Sequence, residues 1–425
     1  MLCRKGGSGA MTEIMTIITT VGSSLFTNFI DEKKKLKNEH DELADLLYCK
    51  SNVSNYGEEI ELFRERLPKY IRETENACAE ISSIKKIIEK IKDKTFHIHL
   101  LASETILSWL SAAIIKEKLE EEGYIVHFEE KEDIIDGLQV KDAKRFEKEG
   151  LVNFVERVLQ ISNYGYNTVL NITGGYKALI PYATLLSQFY QMPMFYLFGD
   201  RFISKEEYTL IEFPQSPITI NWGMFEKYES VLKDLKKGIK DWDMYKREHN
   251  IEDDFSACIS TTDGKDAFLN AIGEMFYQKY QQFHMVYVLQ NGPLSKVSRI
   301  KERQILNKGI ENLVNRLNQF IQNNGLENAT KEELFRKINE DEKDILNHAR
   351  RQGDDFFICK CPRTKPEVRL LYTFDYVNGE LKKLVIYDYR IGNFEHDDYI
   401  DEFRTFYRNN KDGKVIPYLQ VKMNQ

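Results

Sequence analysis

Short apolar runs alternate with longer charged stretches between residues 14 and 200. Each run has the length of a buried strand, and the stretches between them mix charged and apolar residues as surface helices do. We predict strands at Met15–Thr20, Phe96–Leu101, Tyr124–Glu129, Asn167–Ile172 and Pro193–Phe198. The predicted helices are Asp31–Asp45, Glu104–Glu122 and Lys141–Leu159, and Glu206–Thr219 is predicted to add a hairpin. This alternation predicts a doubly wound, Rossmann-like α/β domain at residues 13–222.

The pattern changes after residue 222. Residues 223–281 are predicted to be a helical connector, with helices at Met224–Lys246 and Ala267–Tyr280 and a polar break at 252–265. Residues 282–425 are predicted to form an α+β domain with an antiparallel sheet. Its predicted strands are His284–Gln290, Asp355–Lys360, Glu367–Asp375 and Lys382–Arg390, and its helices lie within Leu294–Gln322 and Lys331–Arg350. Asn378-Gly379, between the last two strands, is a strong signal for a hairpin turn.

Composition limits the classes of protein to which the chain can belong. Its 425 residues are 42% hydrophobic, which is enough apolar side chain for two or three globular cores. No apolar run approaches the roughly 18 residues of a membrane span. The six cysteines lack zinc-site spacing, so we expect a reduced, cytoplasmic protein. The formal net charge of −7 excludes a chain that coats nucleic acid over its whole surface, so any RNA contact must be local.

Two glycine turns follow predicted strands of the N-terminal domain. The first is Gly22-Ser23-Ser24, and the second contains Thr173, Gly174, Gly175 and Lys177. Glycines let the backbone approach a ligand, a helix start offers unpaired N–H groups, and the lysine adds a positive charge. Loops at the carboxyl ends of parallel strands share one crevice, so both turns are predicted to face one phosphate-bearing ligand. Neither has the spacing of a Walker A loop or a GxGxxG fingerprint, so neither an NTPase nor a dehydrogenase follows.

The C-terminal domain carries a local excess of positive charge. Between residues 360 and 390 there are seven basic and four acidic side chains, namely Lys360, Arg363, Lys365, Arg369, Lys382, Lys383 and Arg390 against Glu367, Asp375, Glu380 and Asp388. A basic sheet surface suits a phosphodiester backbone. Cleavage of RNA by its 2′-hydroxyl needs a base, an acid and positive charge near the phosphorane. His396 or Tyr399 would move the proton, and Lys360, Arg369 and Arg390 would supply the charge.

Four motifs of the N-terminal half carry a resemblance to a known family. They are Thr19-Thr20-Val21-Gly22-Ser23-Ser24, Leu101-Ala102-Ser103-Glu104-Thr105, Gly137-Leu138-Gln139-Val140-Lys141-Asp142 and Asn171-Ile172-Thr173-Gly174-Gly175-Tyr176-Lys177. With them the chain resembles the CARF domains of type III CRISPR effectors. The resemblance implies a homodimer that binds a cyclic oligoadenylate, tetra-adenylate before other ring sizes, as an activator and not as a cofactor. The implied ligand-binding residues are Gly22, Ser23, Ser24, Thr173, Gly174, Gly175 and Lys177, with Ser103 and Glu104 as further candidates.

The C-terminal 140 residues place a strand, helices and a basic meander in one order, with Lys360, Val368-Arg369-Leu370-Leu371-Tyr372, and Arg390 followed by His396. In this they resemble a RelE/HigB-type mRNA interferase. The resemblance implies a metal-independent endoribonuclease whose partners are the ribosome and mRNA, and an effector that inhibits translation in CRISPR antiviral defence. The implied catalytic residues are Lys360, Arg363, Arg369, Arg390, His396 and Tyr399. Pro362 and the long insertion at 323–353 depart from that family.

Three other interpretations stay open. A HEPN ribonuclease carries R-x4-6-H on a helix, and Arg390 with His396 has that spacing. A PD-(D/E)xK nuclease would use Asp375 before the hairpin and E-x-K after it, where this chain has Asp388-Tyr389-Arg390. A non-enzymatic regulator under CARF control would need a recognition helix near 223–281, and the sequence shows no such helix.

Overall fold

The computed structural model describes residues 14–74, 76–139, 141–163, 165, 167–199, 208–215, 220–262, 265–297, 299–338, 355–360, 367–392 and 399–423. The chain divides into an N-terminal unit, Met1–Ile218 with Asp234–Met275, and a C-terminal unit, Thr219–Lys233 with Phe276–Gln425. Residues 223–281, predicted as a separate connector, are thus divided between both units. The predicted site residues Arg363 and His396 lie outside the described residues. In the described part of the chain, no helix has the length and apolar character that crossing a membrane requires.

A seven-stranded sheet forms the centre of the N-terminal unit. Its strands are β1 (Ile14–Val21), β2 (Thr95–Ser103), β3 (Ile125–His127), β4 (Ile134–Ile135), β5 (Thr168–Asn171), β6 (Met194–Phe198) and β7 (Thr209–Glu212). The order is β3-β2-β1-β5-β6-β7, with β4 paired to β2. Among these described strands all pairings are parallel except that of β6 with β7. Strand order reverses between β1 and β5, which makes their carboxyl ends the switch point of the sheet.

Helices connect the strands of this unit. They are α1 (Ser24–Lys33), α2 (Lys37–Leu43), α3 (Lys50–Asn55), α4 (Gly57–Glu73), α5 (Ala79–Ile91), α6 (Ile106–Glu121), α7 (Glu130–Asp133), α8 (Ala143–Arg145), α9 (Leu151–Ser162) and α10 (Ile180–Tyr190). The structure has a strand at each of the five predicted positions and a helix, α6, within Glu104–Glu122. The predicted helix Asp31–Asp45 is interrupted, because Lys34 and Leu36 have φ values of 53° and 57° between α1 and α2. A π-helical turn, Phe146–Gly150, interrupts the predicted helix Lys141–Leu159.

Both faces of the central strands are buried. Ile17 and Ile98 lie side by side on one face, in cores that also contain residues of α5 and α6. Ile18 and Leu170 alternate to the other face and are each 2% exposed. Strands covered on both faces read as continuous apolar runs, which is why the sequence identified them.

The segment 234–275 of this unit adds a small antiparallel sheet, β8 (Ile259–Thr262) with β9 (Asp266–Leu269). The sequence predicted a polar break at 252–265 and a helix from Ala267, so the start of that helix was wrong, because Ala267–Leu269 pair as a strand. The helices around it are α12 (Glu229–Lys237) and α13 (Trp242–Glu248).

A five-stranded sheet forms the centre of the C-terminal unit. Its strands are β10 (Val286–Leu289), β11 (Phe357–Lys360), β12 (Glu367–Val377), β13 (Glu380–Gly392) and β14 (Val415–Pro417), in the order β11-β12-β13-β10-β14. Its described pairings are antiparallel except β10 with β13. Asn378 and Gly379 both have positive φ, 53° and 82°, as a type I′ hairpin turn requires, so the predicted hairpin is confirmed.

The remaining helices are α11 (Trp222–Lys227), α14 (Ala271–Phe283), α15 (Ile300–Asn324), α16 (Lys331–Ile338), α17 (Ile400–Asn410) and α18 (Tyr418–Met423). The predicted helical pair within Leu294–Gln322 is a 3-10 turn, Pro293–Lys296, followed by α15. The sequence analysis did not predict α17, which packs Phe403 and Tyr407 against Ile358 and Leu371 of the sheet.

Candidate functional site

The two glycine turns meet at the switch point of the N-terminal sheet. Gly22 follows β1 and Gly175 follows β5, and these strands are hydrogen-bonded neighbours. A Cβ added at Gly22 would lie 2.7 Å from the backbone nitrogen of Gly175, so the two backbones are in direct contact. Thr20 Oγ1 donates a hydrogen bond of 2.6 Å to the carbonyl of Gly174, which ties the second turn to β1. The turns therefore converge, as the sequence predicted from strand ends.

A buried carboxylate that the sequence analysis missed lies beneath both turns. Glu80, in the first turn of α5, is 1% exposed. It accepts hydrogen bonds from the Gly22 backbone nitrogen at 3.1 Å, Ser24 Oγ at 3.0 Å and Cys78 Sγ at 3.2 Å. A Cβ added at Gly174 would overlap the Glu80 side chain. The N–H of Gly22 and the hydroxyl of Ser24, which we predicted to contact a ligand, are thus already engaged by Glu80.

A cleft of about 230 Å³ opens beside the turns. Four predicted ligand-binding residues line it: Gly22, Ser23, Ser103 and Gly175. The sequence analysis missed the other polar residues of its lining, which are Asp45, Thr105, Ser108, Gln139, Lys141 and Tyr176. The glycine turns, Ser103, Thr105 and Tyr176 stand at the ends of β1, β2 and β5 or in the loops that follow those strands. Gln139 and Lys141 follow β4, Ser108 lies in α6, and Asp45 comes from the segment between α2 and α3.

The polar groups of the cleft hold one another in place. Ser103 Oγ and Thr105 Oγ1 are 3.2 Å apart. Burial raises the pKa of Tyr176, and its hydrogen bonds with these two hydroxyls partly oppose that shift. Lys141 Nζ lies 3.4 Å from the carboxylate of Asp45, with both side chains largely exposed. The cleft thus offers hydroxyls, an aromatic ring and one lysine to a polar ligand.

Two predicted ligand residues do not line the cleft and make contacts within the fold. Thr173 Oγ1 donates to Asn171 Oδ1 at 2.7 Å and accepts from the backbone nitrogen of Leu197 at 3.0 Å. Glu104 forms an ion pair with Arg145 at 2.8 Å. Both side chains are therefore committed to contacts that position loops.

Lys177 begins the 3-10 helix Lys177–Leu179 after the second turn. It is exposed, and it has no ion-pair partner within the described part of the chain. It does not line the 230 Å³ cleft, but it is a solvent-facing cation beside the glycine turns.

A larger depression of about 590 Å³ lies along α4, α5 and α6. Its cations are largely neutralised, since Arg72 pairs with Glu121, and Lys85 and Lys118 lie 2.7 Å and 2.9 Å from Glu122. Surface ion pairs of this kind are common on helix faces and indicate no ligand. We therefore take the smaller cleft at the switch point as the candidate site.

Three predicted catalytic cations lie in one row across the C-terminal sheet. Lys360 on β11 is opposite Arg369 on β12, and Arg369 is opposite Arg390 on β13. We call these three residues the cation row. Opposed residues of neighbouring strands point to the same face, so the sheet brings together side chains that the sequence placed on separate strands.

Carboxylates neutralise the cation row. Glu367 forms ion pairs with both Lys360 and Arg369, and its carboxylate lies 3.1 Å from Arg369 Nη2. Arg390 lies 2.7 Å from Asp388 and 3.3 Å from Glu402. Burial raises the pKa of Asp388, and the charge of Arg390 opposes that shift. Among the described residues, three cations thus face three carboxylates, which the sequence count of seven against four did not predict.

Tyr399 supports the row from the core. It is 2% exposed, and its hydroxyl accepts a hydrogen bond of 3.1 Å from Arg369 Nε. We predicted that Tyr399 could move a proton in catalysis, but at this depth it is placed to hold the Arg369 guanidinium and not to meet a substrate.

The geometry also bears on two other interpretations. Arg390 lies in β13, so it is not on a helix as HEPN chemistry requires. Asp375 is opposite Lys383, whereas Asp388 is opposite Leu371. The two aspartates are therefore about four residues apart along the ladder, roughly 13 Å, too far to share one metal ion. Within the described residues, no three His, Cys, Asp or Glu side chains are placed to hold a metal ion.

The comparison with known families concerns the N-terminal unit. Residues 75–214, about a third of the chain, match the model of a family described as CRISPR-associated protein (Cas_APE2256). The matched segment contains Glu80, Ser103, Gln139 and the second glycine turn, and it begins after the first turn. A search of the curated proteins finds no match. The family match supports a CRISPR-associated protein.

Proposed function

We propose that this chain is a ligand-activated endoribonuclease of CRISPR antiviral defence. In this proposal the N-terminal unit binds a cyclic oligoadenylate, and the C-terminal unit then cleaves mRNA on the ribosome. The observation that carries the proposal is the direct contact of the Gly22 and Gly175 turns at the switch point, beside a polar cleft. Open α/β sheets bind their ligands at that position.

The chemistry of the cleft favours a nucleotide. Tyr176 offers a ring against which a base can stack, and Ser103 and Thr105 offer hydroxyls to a base or ribose. Lys141 lines the cleft and Lys177 lies beside the turns, so both can pair with phosphates. A cleft of about 230 Å³ holds one nucleoside portion of an oligonucleotide ring and not the whole ring. A homodimer that presents two such clefts across a two-fold axis would match a cyclic ligand of the same symmetry.

The cation row supports the ribonuclease part of the proposal. Fixed guanidinium groups stabilise the charge that develops on a phosphorane, typically by a factor of about a hundred to a thousand in rate. Lys360 and Arg390 are the members of the row that reach solvent, each with a side chain 32% exposed, whereas Arg369 is 3% exposed. Because carboxylates balance the row, a substrate phosphate has to displace one of them to reach the cations.

Thermal shift and calorimetry with cyclic tri-, tetra- and hexa-adenylate test the sensing part. We expect one ring size to raise the melting temperature of the wild type, and Lys141→Gln to reduce that shift. Linear ATP serves as the control for nonspecific nucleotide binding. Absence of a shift with all three rings would refute the sensing function.

A cleavage assay with labelled mRNA tests the second part, with and without ribosomes and the activator. We expect cleavage only when ribosomes and activator are both present, and none with Arg390→Ala. Cleavage that requires magnesium in the chemical step would refute the metal-independent mechanism. Binding of activator without any RNA cleavage would favour a regulator that is not an enzyme.

A further inference from the structure

We propose that Glu80 makes the glycine turns selective for phosphodiester groups, which carry one negative charge, over terminal phosphomonoesters, which carry nearly two. This inference rests on the proposed nucleotide-binding function of the N-terminal unit. It adds to the proposed function a preference for one form of phosphate group in the ligand.

The surroundings of Glu80 are those of an ionised carboxylate. The Gly22 N–H, the Ser24 hydroxyl and the Cys78 thiol all donate to its two oxygens. An ionised carboxylate only accepts hydrogen bonds, which this set of donors satisfies. Burial and the neighbouring Glu80 charge raise the pKa of Cys78 well above its usual value, so the thiol keeps its proton and remains a donor.

This charge acts on the ligand through a single layer of backbone. Glu80 lies 3.1 Å behind the nitrogen of Gly22, and Gly22 lines the cleft. A phosphate in van der Waals contact with the turn would therefore lie roughly 7 Å from the carboxylate. Glu80 is 1% exposed, so water does not separate it from the turn and screens it weakly.

The consequence depends on the charge of the phosphate. A phosphodiester has one negative charge, whereas a phosphomonoester carries about −1.5 to −2 at pH 7. At roughly 7 Å and an effective dielectric constant of about 20 to 40, each further unit charge weakens binding by about tenfold or more. The side chains of Lys141 and Lys177 are exposed and their attraction is screened by water, whereas the buried charge of Glu80 is screened weakly, so the second phosphate charge meets a net repulsion.

The experiment uses the full chain and three ligands, namely cyclic tetra-adenylate and linear tetra-adenylate with and without a 5′-phosphate. Affinities of the linear forms are measured by their competition with the cyclic form. For the wild type, we expect the 5′-hydroxyl form to bind about tenfold more tightly than the 5′-phosphorylated form. Equal or tighter binding of the phosphorylated form would overturn the inference without any variant.

Two substitutions separate the charge of Glu80 from its hydrogen bonds. Glu80→Gln keeps an oxygen for the Gly22 N–H but removes the charge, so it should bind the phosphorylated form more tightly and shrink the tenfold ratio towards one. Glu80→Ala removes both, so it should loosen the turns and weaken all three ligands. Glu89→Gln makes the same charge change at an exposed position of α5 and should leave the ratio unchanged.

The outcomes distinguish this inference from the proposed function. A wild type that binds no cyclic oligoadenylate overturns both. A wild type that binds the cyclic form, together with a Glu80→Gln ratio equal to that of the wild type, overturns only the role of Glu80. A carboxylate with a purely structural role would never tighten binding when it is neutralised.

Discussion

Replacement of Gly22 by alanine tests whether contact between the two glycine turns keeps the cleft in shape. The backbone of Gly22 does not lie in the left-handed region, so alanine fits its local conformation. The obstacle is the neighbouring turn, because the new Cβ would lie 2.7 Å from the nitrogen and 3.2 Å from the Cα of Gly175. Ordinary contacts of a Cβ begin at 3.4 Å, so the turns must separate by roughly 0.7 Å.

The cost follows from this displacement. Overpacking of a well-packed site typically destabilises a protein by about 1–3 kcal/mol. The hydrogen bond from Thr20 Oγ1 to Gly174, 2.6 Å long, restrains the turn that has to move and adds to the cost if it stretches. For a unit of this size we expect the melting temperature to fall by roughly 4–8 °C for about 2 kcal/mol.

The assay combines thermal melts with calorimetry of cyclic tetra-adenylate binding. Gly22→Ala should lower both the melting temperature and the affinity, because the cleft wall moves with the turn. Gly57→Ala is the matched control, since a Cβ at Gly57, the first residue of α4, meets nothing within 4 Å. Alanine there should leave binding unchanged and, by helix propensity, stability unchanged or slightly raised.

One result would refute the reasoning. If Gly22→Ala has the melting temperature of the wild type and binds the ligand equally well, the cleft does not depend on the close contact between the turns. The cleft would then be shaped by its side chains and not by the glycine backbones.

Three further predictions concern charged and titratable groups. Lys141→Gln should weaken ligand binding a few-fold while Asp45→Asn strengthens it, because the two side chains pair at 3.4 Å; calorimetry showing the same sign for both would contradict this. Arg390→Ala should remove RNA cleavage and also destabilise the unit, because Asp388, whose side chain is 2% exposed, loses its counter-charge, whereas Arg390→Lys should keep that charge and the fold while it lowers the cleavage rate. Arg369→Ala, at a residue 3% exposed, should destabilise the unit by about 3–5 kcal/mol, because it empties a buried site and removes one of the two cations that pair with Glu367; melts and cleavage assays on the three variants test this. Burial, aided by the neighbouring imidazole of His127, lowers the pKa of His99 from 6.5 to about 4. The neutral ring therefore stabilises the fold above pH 6.5, and this contribution is lost as the pH falls towards 4. Urea midpoints that do not decrease between pH 7 and pH 5 would contradict the prediction.

The sequence predicted the strands of the N-terminal sheet because their signals are local. Each buried strand is a short apolar run bounded by polar residues, and Asn378-Gly379 needs only its own two residues to define a turn. The break between α1 and α2 has no such signal, since Lys34 and Leu36 rarely adopt positive φ. The order of strands in a sheet depends on residues far apart in the sequence, so the pairing of β1 with β5 is known only from the structure.

The sequence likewise predicted only part of the candidate site. Gly22 and Gly175 stand out in sequence because glycine next to a strand end has few other purposes. Glu80 does not stand out, since it is one acidic residue among many in charged helices. Its role depends on contacts with Gly22, 58 residues away, and Ser24, 56 residues away, which no pattern in its own helix reveals.

The cation row shows why a count of charges along the chain misjudges a site. The window from 360 to 390 has an excess of three positive charges, yet each of its two arginines on β12 and β13 pairs with a carboxylate of its own strand. Alternation with period two places Glu367 beside Arg369 and Asp388 beside Arg390, so each arginine has a carboxylate two residues away. The members of the row consequently differ in what they can do. Arg369 is buried between Glu367 and Tyr399, so it fixes the carboxylate that it shares with Lys360.

Arg390 is the member that a substrate can reach most easily. Its contact with Glu402, at 3.3 Å, joins it to a carboxylate that is 64% exposed, and exposed pairs contribute little energy. A phosphodiester that displaces Glu402 would gain a guanidinium already fixed by Asp388 at 2.7 Å. Displacement of the buried Asp388 would cost much more, because that carboxylate would lose its counter-charge away from water. In the proposed ribonuclease, RNA would therefore enter from the side of α17, where Glu402 lies, with Arg390 as the first cation that its phosphate meets.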